Sequence, residues 1–218
     1  MKNTKKISIL FLLTCMMAVL TTGCGLDFDA SGYVQACLDA NTHGEFEAYA
    51  EITNTSLEEV EQQFNERMDD EIAYLDAYHI DQDRKDKFRT LFTDMYGSFK
   101  YEVGEAVKND DGSYSVPVTT YKLMVFKDIL NAVETYMMDY AQKEIDAGRT
   151  PTENEIYTVA ADFMYDYISQ NLEALEYEEG VSTTVTVAPT SSDSRVYSVD
   201  PYKLQALLED LVDIENAQ

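Results

Sequence analysis

The spacing of apolar residues changes repeatedly along this chain, and the order of those changes limits what it can fold into. From Ala30 to Gly97 they recur every three or four residues, as on one face of an α-helix. From Phe99 they alternate, as in a strand with one wet face. Helical spacing returns from about Phe126 to about Glu178, alternation from Val181 to Val199, and helix again after Asp200-Pro201. The order is helices, hairpin, two helices, hairpin, helix. It predicts an α+β fold with an antiparallel sheet of about four strands, built from two hairpins and packed against helices, with a two-helix insertion between the hairpins. The relative order of the hairpins in the sheet stays open.

Local signals place the boundaries. Val34, Cys37 and Leu38 define a first helix that His43-Gly44 should stop, and Phe46, Tyr49 and Ala50 a second, ending near Ile52. Thr55, with Glu58 three residues on, reads as a capping box for the helix that carries Val60, Phe64, Met68, Ile72 and Leu75. Asp81 to Lys87 restarts a helix on Phe88, Leu91 and Met95. Phe99 to Val107 reads as one strand, Asn109-Asp110-Asp111-Gly112 as its turn, and Tyr114, Val116 and Val118 as the return, extending as far as Val125. Pro117 lacks an amide hydrogen, which points to a sheet edge or a bulge. Ile129, Leu130, Val133, Met137, Tyr140 and Ala141 form the packing face of the next helix. Thr150-Pro151-Thr152-Glu153 reads as a second capping box, with proline at the first helical position, for a helix running to about Glu178. Asp200 is a natural N-cap for a last helix on Leu204, Leu207, Leu208 and Leu211.

The chain opens with Lys2, Lys5 and Lys6, then an apolar run from Ile7 to Leu20, then Gly23-Cys24. A basic start, an apolar core and small residues make an export signal. The run is shorter than the roughly 17–25 residues of a spanning helix. The end of the signal resembles the lipobox of bacterial lipoproteins, with Thr21 where that pattern favours leucine. The resemblance implies cleavage after Gly23 and acylation of Cys24, which would hold the protein on the outer side of the cell membrane. The expected organisation is a signal peptide over 1–23, a short tether over 24–29 and a single extracytoplasmic domain over 30–218. Two acyl signals are needed for stable anchoring, because each buried CH₂ contributes only about 0.8 kcal/mol.

Leader and Gly23-Cys24, a helical first third, a Phe99-to-Val107 strand turning at Asp110-Asp111-Gly112 into Tyr114-Ser115-Val116, and Arg195 to Asp200 leading into a leucine-rich last helix together resemble lipoproteins of Gram-positive gut and soil bacteria. That resemblance implies a cystatin-like or nuclear-transport-factor-like α+β domain. It implies no activity and supplies no catalytic or binding residues.

Charge narrows the partners. The net formal charge is -25, and the leader holds three of the 16 basic residues and none of the 41 acidic ones. The chain beyond the leader repels phosphate backbones and anionic bilayers alike, which excludes nucleic acid and leaves the lipid as the attachment. Cations, basic peptides and metal ions remain compatible, beside the plainer role of acidic residues in solubility. His43 and His79 are the two histidines, and no HExxH, cysteine pair, Walker A or dinucleotide glycine motif is present. Asp76, Asp81 and Asp83, or Asn109 to Asp111, offer hard oxygens, but Gly112 comes too early for an EF-hand. No metal or cofactor is expected. There is no G-x-S-x-G, and paired carboxylates are defined in space and not by spacing. Cys37 reads as a small buried hydrophobe.

Aromatic residues remain. There are 16 tyrosines, and Tyr136, Tyr140, Tyr157, Tyr165 and Tyr167, with Tyr177, gather on the two central helices. Tyrosine combines an apolar face with a polar tip, which suits both an interaction surface and a core that reaches the surface. The sequence therefore reads as a membrane-anchored, non-catalytic domain for an unidentified ligand or protein. A ligand would lie in a cleft between the sheet and the long helices. A structural or assembly subunit of an envelope complex is the alternative, and a wall or glycan hydrolase a more distant one. Cys24→Ser is expected to move the folded protein from the membrane to the soluble fraction. Equal incorporation of a fatty-acid probe by variant and parent would sink the acylation reading.

Overall fold

The computed structural model describes residues 28–191 and 196–213. The expected signal, Cys24 and residues Ser192 to Arg195, which include the end of the expected turn, lie outside the described residues. The elements in order are α1 (Ala30–Thr42), α2 (Glu47–Thr53), α3 (Leu57–Ala73), a 3₁₀-helix (Tyr74–Tyr78), α4 (Gln82–Gly97), β1 (Lys100–Val103), β2 (Val107–Lys108), β3 (Tyr114–Tyr121), α5 (Ile129–Asp146), α6 (Glu153–Ala174), β4 (Val181–Pro189), β5 (Tyr197–Val199) and α7 (Pro201–Glu209). This is the α+β class that the changes of period predict.

The strands join one sheet in the order β1-β3-β4-β5, with β2 also on β3. The two hairpins thus meet through β3 and β4, which no local signal could specify. β2 pairs antiparallel with β3 at Val107↔Ser115, and β4 with β5 at Val187↔Val199. Tyr114, Val116, Val118 and Thr120 of β3 are all buried, as period two requires.

Pro117 sits in β3, which has neighbours on both sides, so the edge reading of this proline is corrected. The expected Phe99–Val107 strand is instead two pieces, β1 and β2, interrupted between Val103 and Val107 opposite Pro117. The amide of Gly104 donates to the Pro117 carbonyl at 2.8 Å, and Pro117 has no N–H to return the bond. A Cβ on Gly104 would lie 2.7 Å from Pro117 Cγ, so only glycine lets the backbone come this close. The return strand stops at Tyr121 and not at Val125. At the turn, Gly112 has φ +83° and donates its amide to the Asn109 carbonyl, while Asp111 accepts from the Ser113 amide.

By its contacts the chain forms two compact units. One comprises residues up to Glu71, Val103–Val118 and Thr183–Glu209; the other Ile72–Glu102, Thr119–Ser182 and the residues from Asp210. In the first, α1 is buried nearly all round: Tyr33, Val34, Ala36, Cys37, Leu38 and Ala40 lie within it. Val60, Met68, Val116, Val118, Val185, Val187, Leu204, Leu207 and Leu208 complete its core. Arg67 is buried too, and its guanidinium donates to Asn41 Oδ1 at 3.0 Å and to the Asn41 carbonyl at 2.8 Å. In the second, the short segment after β3 is tied on every side. The Leu123 amide donates to Leu211, the Met124 amide to Glu176, and the Leu123 carbonyl accepts from Asp213.

Helix ends depart from expectation by a few residues. The cap of α3 is Ser56, whose Oγ accepts from the Glu59 amide at 3.2 Å, one residue beyond the Thr55 predicted. α5 begins at Ile129 after a turn, and α6 ends at Ala174, short of Glu178. The second capping box is Thr152 with Glu155, and Pro151 precedes it instead of opening the helix. The same S/T-x-x-E spacing occurs at both registers, so only the path between α5 and α6 separates them. Asp200 caps α7 as expected, accepting from the Tyr202 amide at 2.9 Å. Thr152→Ala is expected to weaken the second unit by about 1 kcal/mol in urea unfolding, with Thr152→Ser near the parent. An unchanged midpoint for the alanine variant would show that the box contributes nothing.

Candidate functional site

α5 and α6 form an antiparallel αα-hairpin. In α5 only Ile129 and Glu144 are buried, and in the longer α6 only Ala161 and Ile168. Both helices carry apolar residues on a broad arc, so their sequences permit burial on more than one side, and the fold uses only part of it.

The five tyrosines separate into two groups. Tyr136 of α5 stacks on Phe163 of α6, with centroids 4.3 Å apart and planes at 19°, and Phe163 in turn approaches Tyr167 at 5.9 Å. The Tyr167 hydroxyl donates to the Lys127 carbonyl at 2.6 Å, pinning the root of α6 to the segment before α5. Tyr140 is half-buried on α5, where burial and the carboxylates of Glu144 and Glu155 raise its pKa. These three belong to the seam of the hairpin. Tyr157 instead packs edge-on against Tyr78 at 5.7 Å and donates to Glu153 at 3.0 Å, a bond that raises its pKa. Tyr165 packs edge-on against Phe88 at 5.8 Å. These two face the 3₁₀-helix and α4.

Beside Tyr165 lies a pocket of about 300 Å³ between α4 and α6, lined by Arg84, Lys87, Phe88, Asp162, Tyr165 and Asp166. Its guanidinium is already occupied. Arg84 grips Asp162 through Nε at 2.7 Å and Nη2 at 2.8 Å, and its Nη1 meets Asp81, which also caps α4. The bond to Asp162 leads the causes that push the Arg84 pKa up. Three of its five N–H donors are engaged by Asp81 and Asp162, so its charge is already countered within the protein. Likewise Lys85 pairs with Asp76, and Asp111 binds Ser113, so three of the acids considered for calcium, Asp76, Asp81 and Asp111, hold internal partners.

What the packing reading of α5 missed is its outer side. Leu130 and Ala141, expected to pack, are exposed, as are Met138 and Ile145. Leu130 is 46%, Met138 60% and Ile145 68% accessible. On an ideal helix Leu130, Glu134, Met138, Ala141 and Ile145 share an arc of about 80°, centred roughly 110° from the side that meets α6. Their four- and three-residue spacing was present in the sequence, but it merges with that of the buried side.

In the first unit, Phe28 is the first described residue of the chain and is held by aromatic packing. It stacks flat on Tyr197 at 4.3 Å and 3°, with Tyr33 and Tyr114 each 5.8 Å away. Cys24 lies four residues upstream, a reach of about 14 Å at full extension.

The second unit also contains a fully buried carboxyl group. Asp213 accepts from the Phe126 amide at 2.9 Å, while burial pushes its pKa up. It joins two chain segments and is not among the residues that line the Arg84 pocket.

These features define an α+β protein with an exposed αα-hairpin. Its backbone is similar to the crystal structure of a candidate lipoprotein (ycdA) from Bacillus subtilis subsp. subtilis str. 168, with a TM-score of 0.55 over 85% of this chain at 15% sequence identity. The chain spans 56% of the length of that protein, and at this identity the likeness is one of fold. It does not extend to the cystatin-like or nuclear-transport-factor-like expectation. No protein-family model and no curated protein matches the sequence.

A carboxyl whose folded pKa is raised lowers stability once the unfolded chain has ionised. The cost is absent below the ordinary carboxylate range and grows as pH rises through it. Asp213→Asn keeps an acceptor for Phe126 and removes the charge. Its melting advantage over the parent is therefore expected to grow between about pH 4 and pH 7. An advantage that is flat with pH would overturn this account.

Proposed function

We propose that this protein is an acyl-anchored, extracytoplasmic binding protein, held by lipid on Cys24, whose α5–α6 hairpin engages another protein and which performs no chemistry itself. The observation that carries the reading is the outer side of α5. Large apolar side chains at Leu130, Met138 and Ile145 stand in solvent on a well-formed helix. Scattered exposed apolar residues are ordinary, but an aligned row on one helix is the form in which a partner helix is recognised.

The anchor reading is supported by the leader and by the position of Phe28. With Phe28 held between aromatic rings, a lipid on Cys24 would keep the domain close to the bilayer, despite a charge that anionic lipid repels. The likeness in fold to a Bacillus subtilis candidate lipoprotein agrees with that placement. Among the described residues no helix is long and apolar enough to cross a membrane.

A photo-crosslinking residue at Met138 in the native envelope is expected to give a protein adduct of one discrete mass, while the same residue at solvent-facing Asp139 gives none. Absence of an adduct from Met138 would remove the protein-binding reading and leave the anchor untouched.

A further inference from the structure

The outer side of α5 carries a more specific statement, which rests on the protein-binding reading. We infer that its occupant is a basic amphipathic helix of a partner protein, laid along the row Leu130, Met138, Ala141 and Ile145.

The row is the right shape for a helix. From Leu130 to Ile145 it extends about 22 Å along α5, and its four- and three-residue steps match the ridges that helices interdigitate. Methionine at its centre suits this use, since an unbranched thioether adapts to whatever side chain it meets. The apolar part is therefore a seam and not a hole, so the occupant is an extended partner surface and not a small molecule.

Charge selects which helix. Glu134 lies within the row itself. Together α5 and α6 carry nine aspartates and glutamates against one lysine, Lys143. An arriving helix with Lys and Arg flanking its own apolar stripe is drawn by the strongly acidic field of the chain, to which Glu134 adds within the row, and the same field speeds its encounter. The two competing occupants are opposed by that charge. A second copy would bring its own Glu134 and its own large negative charge to the same row, and an anionic bilayer would meet Glu134 within it. In the Arg84 pocket the Asp162 carboxylate is already paired with Arg84, and that cation itself repels a basic partner.

The test uses the full chain in detergent and a fluorescent amphipathic peptide of about 18 residues, built from lysine and leucine to form one apolar helix face. Its counterpart has glutamate in place of lysine. Binding of the lysine peptide and not the glutamate peptide is expected. Met138→Asp and Ile145→Asp are each expected to weaken it by about tenfold or more, even though they add negative charge. Ile145→Leu should retain it. Both positions are exposed, so the melting temperature should not move and serves as the control for folding.

Unchanged or tighter binding by the aspartate variants would mean that charge alone attracts the peptide, and would overturn the proposal. So would equal binding of the glutamate peptide, or a self-adduct from the Met138 crosslinker. The two readings fail separately. If Met138 crosslinks to an envelope protein while the lysine peptide ignores the row, the protein-binding reading stands and the basic helix falls. If the peptide binds as expected and the envelope gives no adduct, the protein-binding reading falls.

Discussion

The burial of α1 on almost every side is the constraint on which the first unit depends. Nine of its 13 residues are buried, among them Asn41 and Thr42. A helix enclosed in this way needs apolar surface around it, and β3, β4 and α7 supply valines and leucines to the same core. It also needs every polar group inside to be paired. Asn41 Nδ2 and Thr42 Oγ1 turn back onto the carbonyls of Cys37 and Leu38, and the remaining oxygens of Asn41 take both ends of the Arg67 guanidinium. A buried arginine costs several kcal/mol when its partners are missing, so α1 and α3 hold each other in one register.

The second unit works differently. Its centre is the backbone between Lys122 and Lys127, not a helix. Leu123 bridges to Tyr177 on one side and Val212 on the other, Phe126 reaches Asp213, and Asn171 reaches the Val125 carbonyl. Tyr167 closes the set at Lys127. The αα-hairpin is therefore held firmly where α5 begins and α6 ends. Away from that root, α5 has α6 and little else, which is why its outer side stays in water and why an interaction surface belongs there.

Much of this was legible from residue patterns. Period three-to-four and period two identified the α+β class, Gly112 marked the turn, and Asp200 marked the last cap. Errors fell where two local signals competed. Thr150 and Thr152 each stand three residues before a glutamate, and either could cap α6. Pro117 allowed an edge or a bulge, and the choice was made by the interruption between β1 and β2. For the site, the grouping of tyrosines on two helices was visible, but not its division. Tyr136 stacks on Phe163 and Tyr167 lies tilted beside it, whereas Tyr157 and Tyr165 turn toward Tyr78 and Phe88. Two residues apart on a helix means opposite sides, yet which side meets which neighbour is not a local property.

The sequence by itself determined the acidic balance and the alternation of helices with hairpins, and it carries the leader that reads as an export signal ending in the lipobox-like Gly23-Cys24, because each is carried by adjacent residues or by a short period. Tertiary structure alone decided that β3 lies beside β4, that α1 is enclosed and that α5 is not. A periodic apolar face says that a helix can be covered. Whether it is covered depends on how much surface the rest of the chain brings to it, and among the described residues Leu130, Met138 and Ile145 are left largely exposed.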